Sequence, residues 1–242
     1  MDGTLLAPLG LGLLLGIKHA LDPDHIVAVS TIVSEQRSLA RSSLIGAFWG
    51  AGHTMTLSLI GLAVILLKLT IPDRVALGME FGVAGMLILL GANLLVKLYR
   101  GRRLHLHAHE HEGQAHLHLH LHGGDARVHA HPHLLQGGLK PFLVGLVHGA
   151  AGSAALMLLV LTTIPSPLAG FLYILIFGVG SMAGMLVVSS AISLPFLITV
   201  RRFAEFESQV RGLAGAVSVA FGLFLAWQIG FVDGLFVPFL SR

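Results

Sequence analysis

The sequence predicts an all-α integral membrane protein, with six transmembrane helices arranged as two inverted three-helix repeats. Three observations carry that expectation. Of the 242 residues, 55% are hydrophobic and only 11% charged, with mean hydropathy +0.83, where a soluble domain carries about 25% charged residues. Apolar stretches long enough to cross a bilayer core, about 20 residues, run over 4–33, 43–67, 76–99, 141–164, 168–199 and 211–232. The two halves also echo each other at an offset of 128 to 130 positions. Gly16-Ile17-Lys18-His19-Ala20 answers to Gly145-Leu146-Val147-His148-Gly149. Phe48-Trp49-Gly50-Ala51-Gly52 answers to Ile176-Phe177-Gly178-Val179-Gly180, and Gly82-Val83-Ala84-Gly85 to Gly212-Leu213-Ala214-Gly215. Three spans per repeat is an odd number, so the copies enter the membrane in opposite directions, a plan common among secondary transporters.

In order along the chain, residues 1–99 form the first repeat, 100–140 a polar connecting loop, and 141–242 the second repeat. The first span follows an acid, Asp2, and no small-residue cleavage site follows its apolar run; it reads as a membrane helix and not a signal peptide. Residues 233–242 form a short tail whose apolar stripe suits the membrane interface. Loop charges orient the whole. Arg37, Arg41, Arg100, Arg102, Arg103, Arg127, Lys140, Arg201, Arg202 and Arg211 occupy the odd-numbered loops, against Lys68, Arg74 and Arg242 on the other side. By the positive-inside rule, the 100–140 loop is cytoplasmic, both termini are outside, and the cytoplasmic membrane is the expected location.

Cysteine is absent, which excludes disulfides, thiol catalysis and thiolate metal sites. The net charge of +3 and the basic pI of about 9.7 come from short loops between spans, so they speak for topology and against nucleic-acid binding.

Within the first span stands His19-Ala20-Leu21-Asp22-Pro23-Asp24-His25. A carboxylate at a helix centre costs about 2.5 to 3.5 kcal/mol on the translocon scale, so Asp22 and Asp24 need compensation from a cation or a water-filled path. Pro23 lacks an N–H and clashes with the carbonyl four residues back, that of His19, which predicts a break there and a freed carbonyl. In an unbroken helix His19, Asp22 and His25 share a face while Asp24 points elsewhere; the break lets Asp24 join them. The competing reading makes this stretch a polar loop at the membrane surface. His53, in Gly52-His53-Thr54 on the second span, completes an expected metal set of His19, Asp22, Asp24, His25 and His53. His148 repeats the position of His19 without the acids; it and Ser153 are candidates for a secondary ligand or the lining of a path. Imidazole and carboxylate ligands suit Ni(II), Co(II), Zn(II), Fe(II) or Mn(II) better than Cu(I).

Eleven of the fifteen histidines lie in the 100–140 loop: His105, His107, His109, His111, His116, His118, His120, His122, His129, His131 and His133. Such a tract reads as metal binding by composition, with many weak and interchangeable ligands that capture metal in the cytoplasm.

These residues resemble a known family, the nickel/cobalt transporters of bacteria, archaea and fungi. Its hallmark is a histidine, four residues, then Asp-His within a membrane helix, matched by His19, Asp24 and His25, with Asp22 matching the acid inside the motif. Gly52-His53-Thr54 resembles its second signature. The six spans and the histidine-rich loop look like its exporter-type branch. Pro23 replaces the commoner alanine, and the stretch from His148 to Ser153 stands where the family carries Asp-Thr-Ala-Thr-Glu.

The function expected is secondary transport of a divalent transition-metal ion, Ni2+ or Co2+ foremost and otherwise Fe2+ or Zn2+, with export favoured over import by the cytoplasmic histidine tract. No GxxxxGK[ST] motif is present, so the driving force is a proton gradient or the metal's own gradient. The chain is not expected to be an enzyme or to hold a catalytic cofactor; the metal is its cargo. Its partners are that ion and the lipid bilayer, and no protein partner is legible. Two alternatives stay open, an intramembrane metalloenzyme and a non-transporting metal donor for metalloenzyme maturation. The former lacks an HExxH motif.

Overall fold

A computed structural model describes residues 3–69, 71–101, 105–111, 114–120, 134–151, 166–202 and 207–236. Its elements are α1 (Gly3–His19), α2 (Pro23–Val33), α3 (Leu39–Leu67), α4 (Asp73–Gly101), β1 (His105–His111), β2 (Gln114–His120), α5 (Leu134–Gly149), α6 (Pro167–Arg202) and α7 (Glu207–Trp227), which ends in a π-helical turn, Gln228–Val232. Among the described residues, four helical stretches are long and apolar enough to cross a membrane: Leu39–Leu67, Asp73–Arg100, Pro167–Ile198 and Glu207–Val232. They correspond to the second, third, fifth and sixth expected spans. The stretch expected to be one interrupted span is two shorter apolar helices, Leu6–His19 and Pro23–Val33. Of the fourth expected span, α5 supplies the first part, and residues 152–165 lie outside the described residues.

Polarity is distributed as a bilayer demands. Leu59, Leu66, Leu89, Val187, Leu213 and Leu223 are all more than half exposed on the outer surface, whereas His19, His25, His53, His148, Ser42, Ser181, Ser189 and Ser218 are buried. Water would reverse that arrangement; hydrocarbon rewards it, because a polar group facing lipid finds no partner. Together with the long apolar helices, this makes the chain a multi-pass membrane protein.

Within the bundle, α3 and α6 pack along each other, α1 lies along α6, α5 along α3 and α4 along α7, while α2 is enclosed by α4, α6 and α7. Glycine permits the closest of these approaches. A Cβ on Gly145 would strike the carbonyl of Trp49, and one on Gly16 would strike the carbonyl of Phe177. Gly52 meets Phe142 in the same way, and Gly180 meets Leu13. Each contact thus has a counterpart in the other half of the chain, with the partners exchanged. Hydroxyl groups add bonds between helices: Thr54 donates to the carbonyl of Gly178 at 3.1 Å, Thr56 to that of Leu146 at 3.0 Å and Ser218 to that of Leu87 at 2.9 Å. Such bonds hold membrane helices where burial of apolar surface cannot.

At one end of the bundle Glu35 accepts from Lys97 Nζ at 2.9 Å and stands 3.6 Å from Arg211, which also pairs with Glu207 at 3.3 Å. These charges tie the end of α2 to α4 and α7.

Part of the histidine tract, expected only as a polar connecting loop, forms a hairpin. Alternation of histidine with leucine or alanine has the period of a strand, and β1 and β2 pair antiparallel, His105 opposite His120, His107 opposite His118 and His109 opposite His116. His122, His129, His131 and His133 lie outside the described residues.

Candidate metal centre

The helix breaks where Pro23 predicts, but its consequence differs from expectation. A residue before proline is disfavoured in the helical region, and Asp22 is extended, with φ −61° and ψ 143°. Pro23 then occupies the first position of α2, where a missing N–H costs nothing. The carbonyl of His19 is not freed toward the site: it accepts the Asp22 N–H at 3.0 Å, as that of Lys18 accepts the Leu21 N–H at 2.9 Å. The end of α5 repeats this turn. There the Ala150 N–H donates to Val147 and the Ala151 N–H to His148, each at 3.2 Å. Both turns place a histidine at the last helical turn, with its ring directed into the bundle.

Four imidazoles meet there: His19 from the end of α1, His25 from α2, His53 from the middle of α3 and His148 from the end of α5. Their side chains are at most 5% exposed. His25 sits at the centre, its ring centroid 4.4 Å from His19, 5.2 Å from His53 and 3.9 Å from His148. It stacks on Trp49 at 5.5 Å, and His19 stacks on Phe177 at 5.7 Å. These two aromatic rings are a part of the site that sequence reasoning missed. The signal was present, since Trp49 and Phe177 occupy equivalent positions in the repeat.

Hydrogen bonds orient the rings. Asp22 Oδ2 accepts from His19 Nδ1 at 2.6 Å, which directs the Nε2 lone pair of His19 toward His53 Nε2, 3.0 Å away. Asp24 serves two rings, accepting from His25 Nδ1 at 3.0 Å through Oδ1 and from His148 Nε2 at 2.9 Å through Oδ2. Its Oδ1 also accepts the backbone N–H of His25 at 2.8 Å. A carboxylate that holds one ring nitrogen leaves the other as a directed ligand. Three ring nitrogens, His25 Nε2, His53 Nδ1 and His148 Nδ1, are buried without a hydrogen-bond partner among the described residues. Buried polar atoms normally have one, so these nitrogens are candidates to bind a cation.

The expected ligands therefore divide. His19, His25 and His53 bring ligand atoms within 4.8 Å of one another, as do Asp24, His25 and His148. Asp22 belongs to neither group; its side chain is 41% exposed and holds His19 from outside. His148 joins the centre directly, which its repeat position alone left undecided. Ser153 lies outside the described residues. Ser181, which takes the place of His53 in the second repeat, is buried, and its Oγ lacks a hydrogen-bond partner.

No protein-family model matches the chain, and no solved structure matches it. Among curated proteins it is similar to the urease accessory protein UreH of Bacillus sp. (strain TB-90), 39% identical over 238 residues that cover 96% of each chain. It is also similar to two chloroplast proteins of Arabidopsis thaliana, FOR GROWTH AND FERTILITY 1 and 2. These are 28% and 27% identical across 72% of this chain, which spans 46% and 44% of their lengths.

Proposed function

Since this chain belongs to the family of the urease accessory protein UreH, we propose that it carries a divalent transition-metal ion, Ni2+ first and Co2+ second, across the cytoplasmic membrane. The relative is named for an accessory role and not for an enzymatic activity, and this chain is likewise not an enzyme. The observation that carries the proposal is the convergence of four buried imidazoles and Asp24 at a helix break inside an apolar bundle, with three ring nitrogens lacking partners. Nitrogen and oxygen ligands of this kind suit nickel and cobalt.

Urease uses nickel, so an accessory role speaks for delivery toward the cytoplasm, whereas the histidine tract taken alone favoured export. Inward movement is the direction proposed. The paired glycine contacts and the matching turns after His19 and His148 support a duplicated chain of two inverted three-helix halves, and the loop charges support a cytoplasmic histidine hairpin and external termini. The accessory role for which the relative is named also favours the second reading, a membrane-held donor that hands nickel to a partner without moving it across.

Proteoliposomes of known orientation, loaded with a nickel-sensitive dye and challenged with Ni2+, Co2+, Zn2+ and Fe2+, separate these readings. Transport predicts Ni2+ entry that His19→Ala abolishes while the variant still inserts. Absence of flux in both orientations would leave the donor reading in its place.

A further inference from the structure

We infer that the imidazole centre holds its ion in two overlapping positions that share His25, and that the ion crosses between them by exchanging the other ligands around that ring. The inference rests on the transport reading above. One position is His19, His25 and His53; the other is Asp24, His25 and His148. Metal–nitrogen bonds of about 2.0–2.1 Å put two ligands of one ion no more than about 4.2 Å apart. Each trio, with its ligand atoms within 4.8 Å of one another, closes with small side-chain movements. His53 and His148 fall in different trios, their rings 6.0 Å apart and nearly perpendicular at 74°.

His25 is built to be shared. Its ring lies between His19 and His148, at 4.4 Å and 3.9 Å, and packing on Trp49 leaves it little freedom to turn away. Nδ1 is committed to Asp24, so Nε2 alone is open. One open nitrogen serves one ion at a time, which makes the two positions mutually exclusive. An ion that trades His19 and His53 for Asp24 and His148 keeps His25 throughout. It is never stripped of ligands in a medium where an unpaired charge is very costly.

The positions also differ in chemistry and in origin. The first offers three neutral imidazoles, the second two imidazoles and a carboxylate that offsets part of the ion's charge. The first takes its terminal histidine from α1 and the second from α5, through the matching turns at the ends of the two helices. The handover therefore runs from a ligand of one half of the chain to the corresponding ligand of the other.

The test uses the full-length chain in detergent, with the eleven loop histidines replaced by serine so that only the centre binds, and Co2+ as the probe. The parent is expected to bind one ion. His53→Asn and His148→Asn each retain one ion, the variant that keeps the tighter position binding within about twofold of the parent because exclusive positions add in the association constant, and their visible spectra differ because the surviving ligand sets differ. His25→Asn binds none at the same concentration. In proteoliposomes His53→Asn and His148→Asn each lose at least about tenfold in flux. Gel filtration and circular dichroism report folding, and the corresponding glutamine variants replace any asparagine variant that fails them.

Two ions per parent chain would overturn the proposal. So would abolished binding in both His53→Asn and His148→Asn, parent-like flux in His148→Asn, or retained binding in His25→Asn. If the parent shows no flux at all, the transport reading fails while the binding spectra still decide between one position and two.

Discussion

His148 Nε2 lies 2.9 Å from Asp24 Oδ2, joining residues 124 positions apart. Asp24 also accepts from His25, so one carboxylate orients two rings from different helices. Asp24→Asn keeps the size but removes the charge and turns one acceptor oxygen into a donor. Metal affinity is expected to fall by about 10–100-fold, as when the partner of a metal-ligating histidine is removed, with insertion unchanged. Isothermal titration of the purified variant with Ni2+ checks this, and affinity within twofold of the parent would contradict the assigned role.

Asp22 acts at one remove, through His19 Nδ1, and is 41% exposed. Water replaces part of what Asp22→Asn takes away, so its loss of nickel flux should be smaller than that of His19→Ala. Vesicle uptake of the two variants side by side gives the ranking; equal losses would place Asp22 among the ligands.

Close helix approach at Gly52 predicts a steric penalty. A Cβ there meets the carbonyl of Phe142, which is backbone and cannot swing aside. Gly52→Val is expected to destabilise the folded chain by about 1–3 kcal/mol or more, read as a lower thermal midpoint in detergent. Gly78, whose added Cβ meets nothing within 4 Å, is the control. Gly78→Ala should be neutral or stabilising by up to about 1 kcal/mol.

The histidine hairpin and the buried centre should be separable. Replacing the eleven loop histidines by serine is expected to reduce the number of Ni2+ ions bound per chain, yet to leave flux at saturating metal unchanged. Equilibrium dialysis and vesicle uptake measure the two. Loss of flux at saturation would make the hairpin part of the pathway.

Much of the centre was legible beforehand because its cost is local. A carboxylate or an imidazole in an apolar helix stands out wherever the chain folds, so His19, Asp22, Asp24, His25 and His53 could be singled out from residue type and neighbours. The break at Pro23 was legible for the same reason, since its cause lies within the neighbouring residues. The fate of the His19 carbonyl was not, because a three-residue turn competes with the site for it and wins. The hairpin was missed although its alternation has a strand's period, since composition drew attention to metal binding and away from backbone pairing. Trp49 and Phe177 were missed because an aromatic residue in an apolar helix is ordinary by type, and their equivalence in the repeat spoke only for duplication.

By itself, the sequence determined that this chain lives in a membrane, that its polar cluster must be compensated, and that thiolate chemistry is unavailable to it. Each follows from residue type and local spacing. Only the tertiary structure decided how the candidate ligands are grouped: that Asp22 stands outside, that Asp24 reaches across to His148, and that His25 is common to both trios. Grouping depends on distances between helices, and those are set by which glycines admit which carbonyls. Gly145 against Trp49 and Gly52 against Phe142 bring α5 onto α3, and with it His148 into the centre.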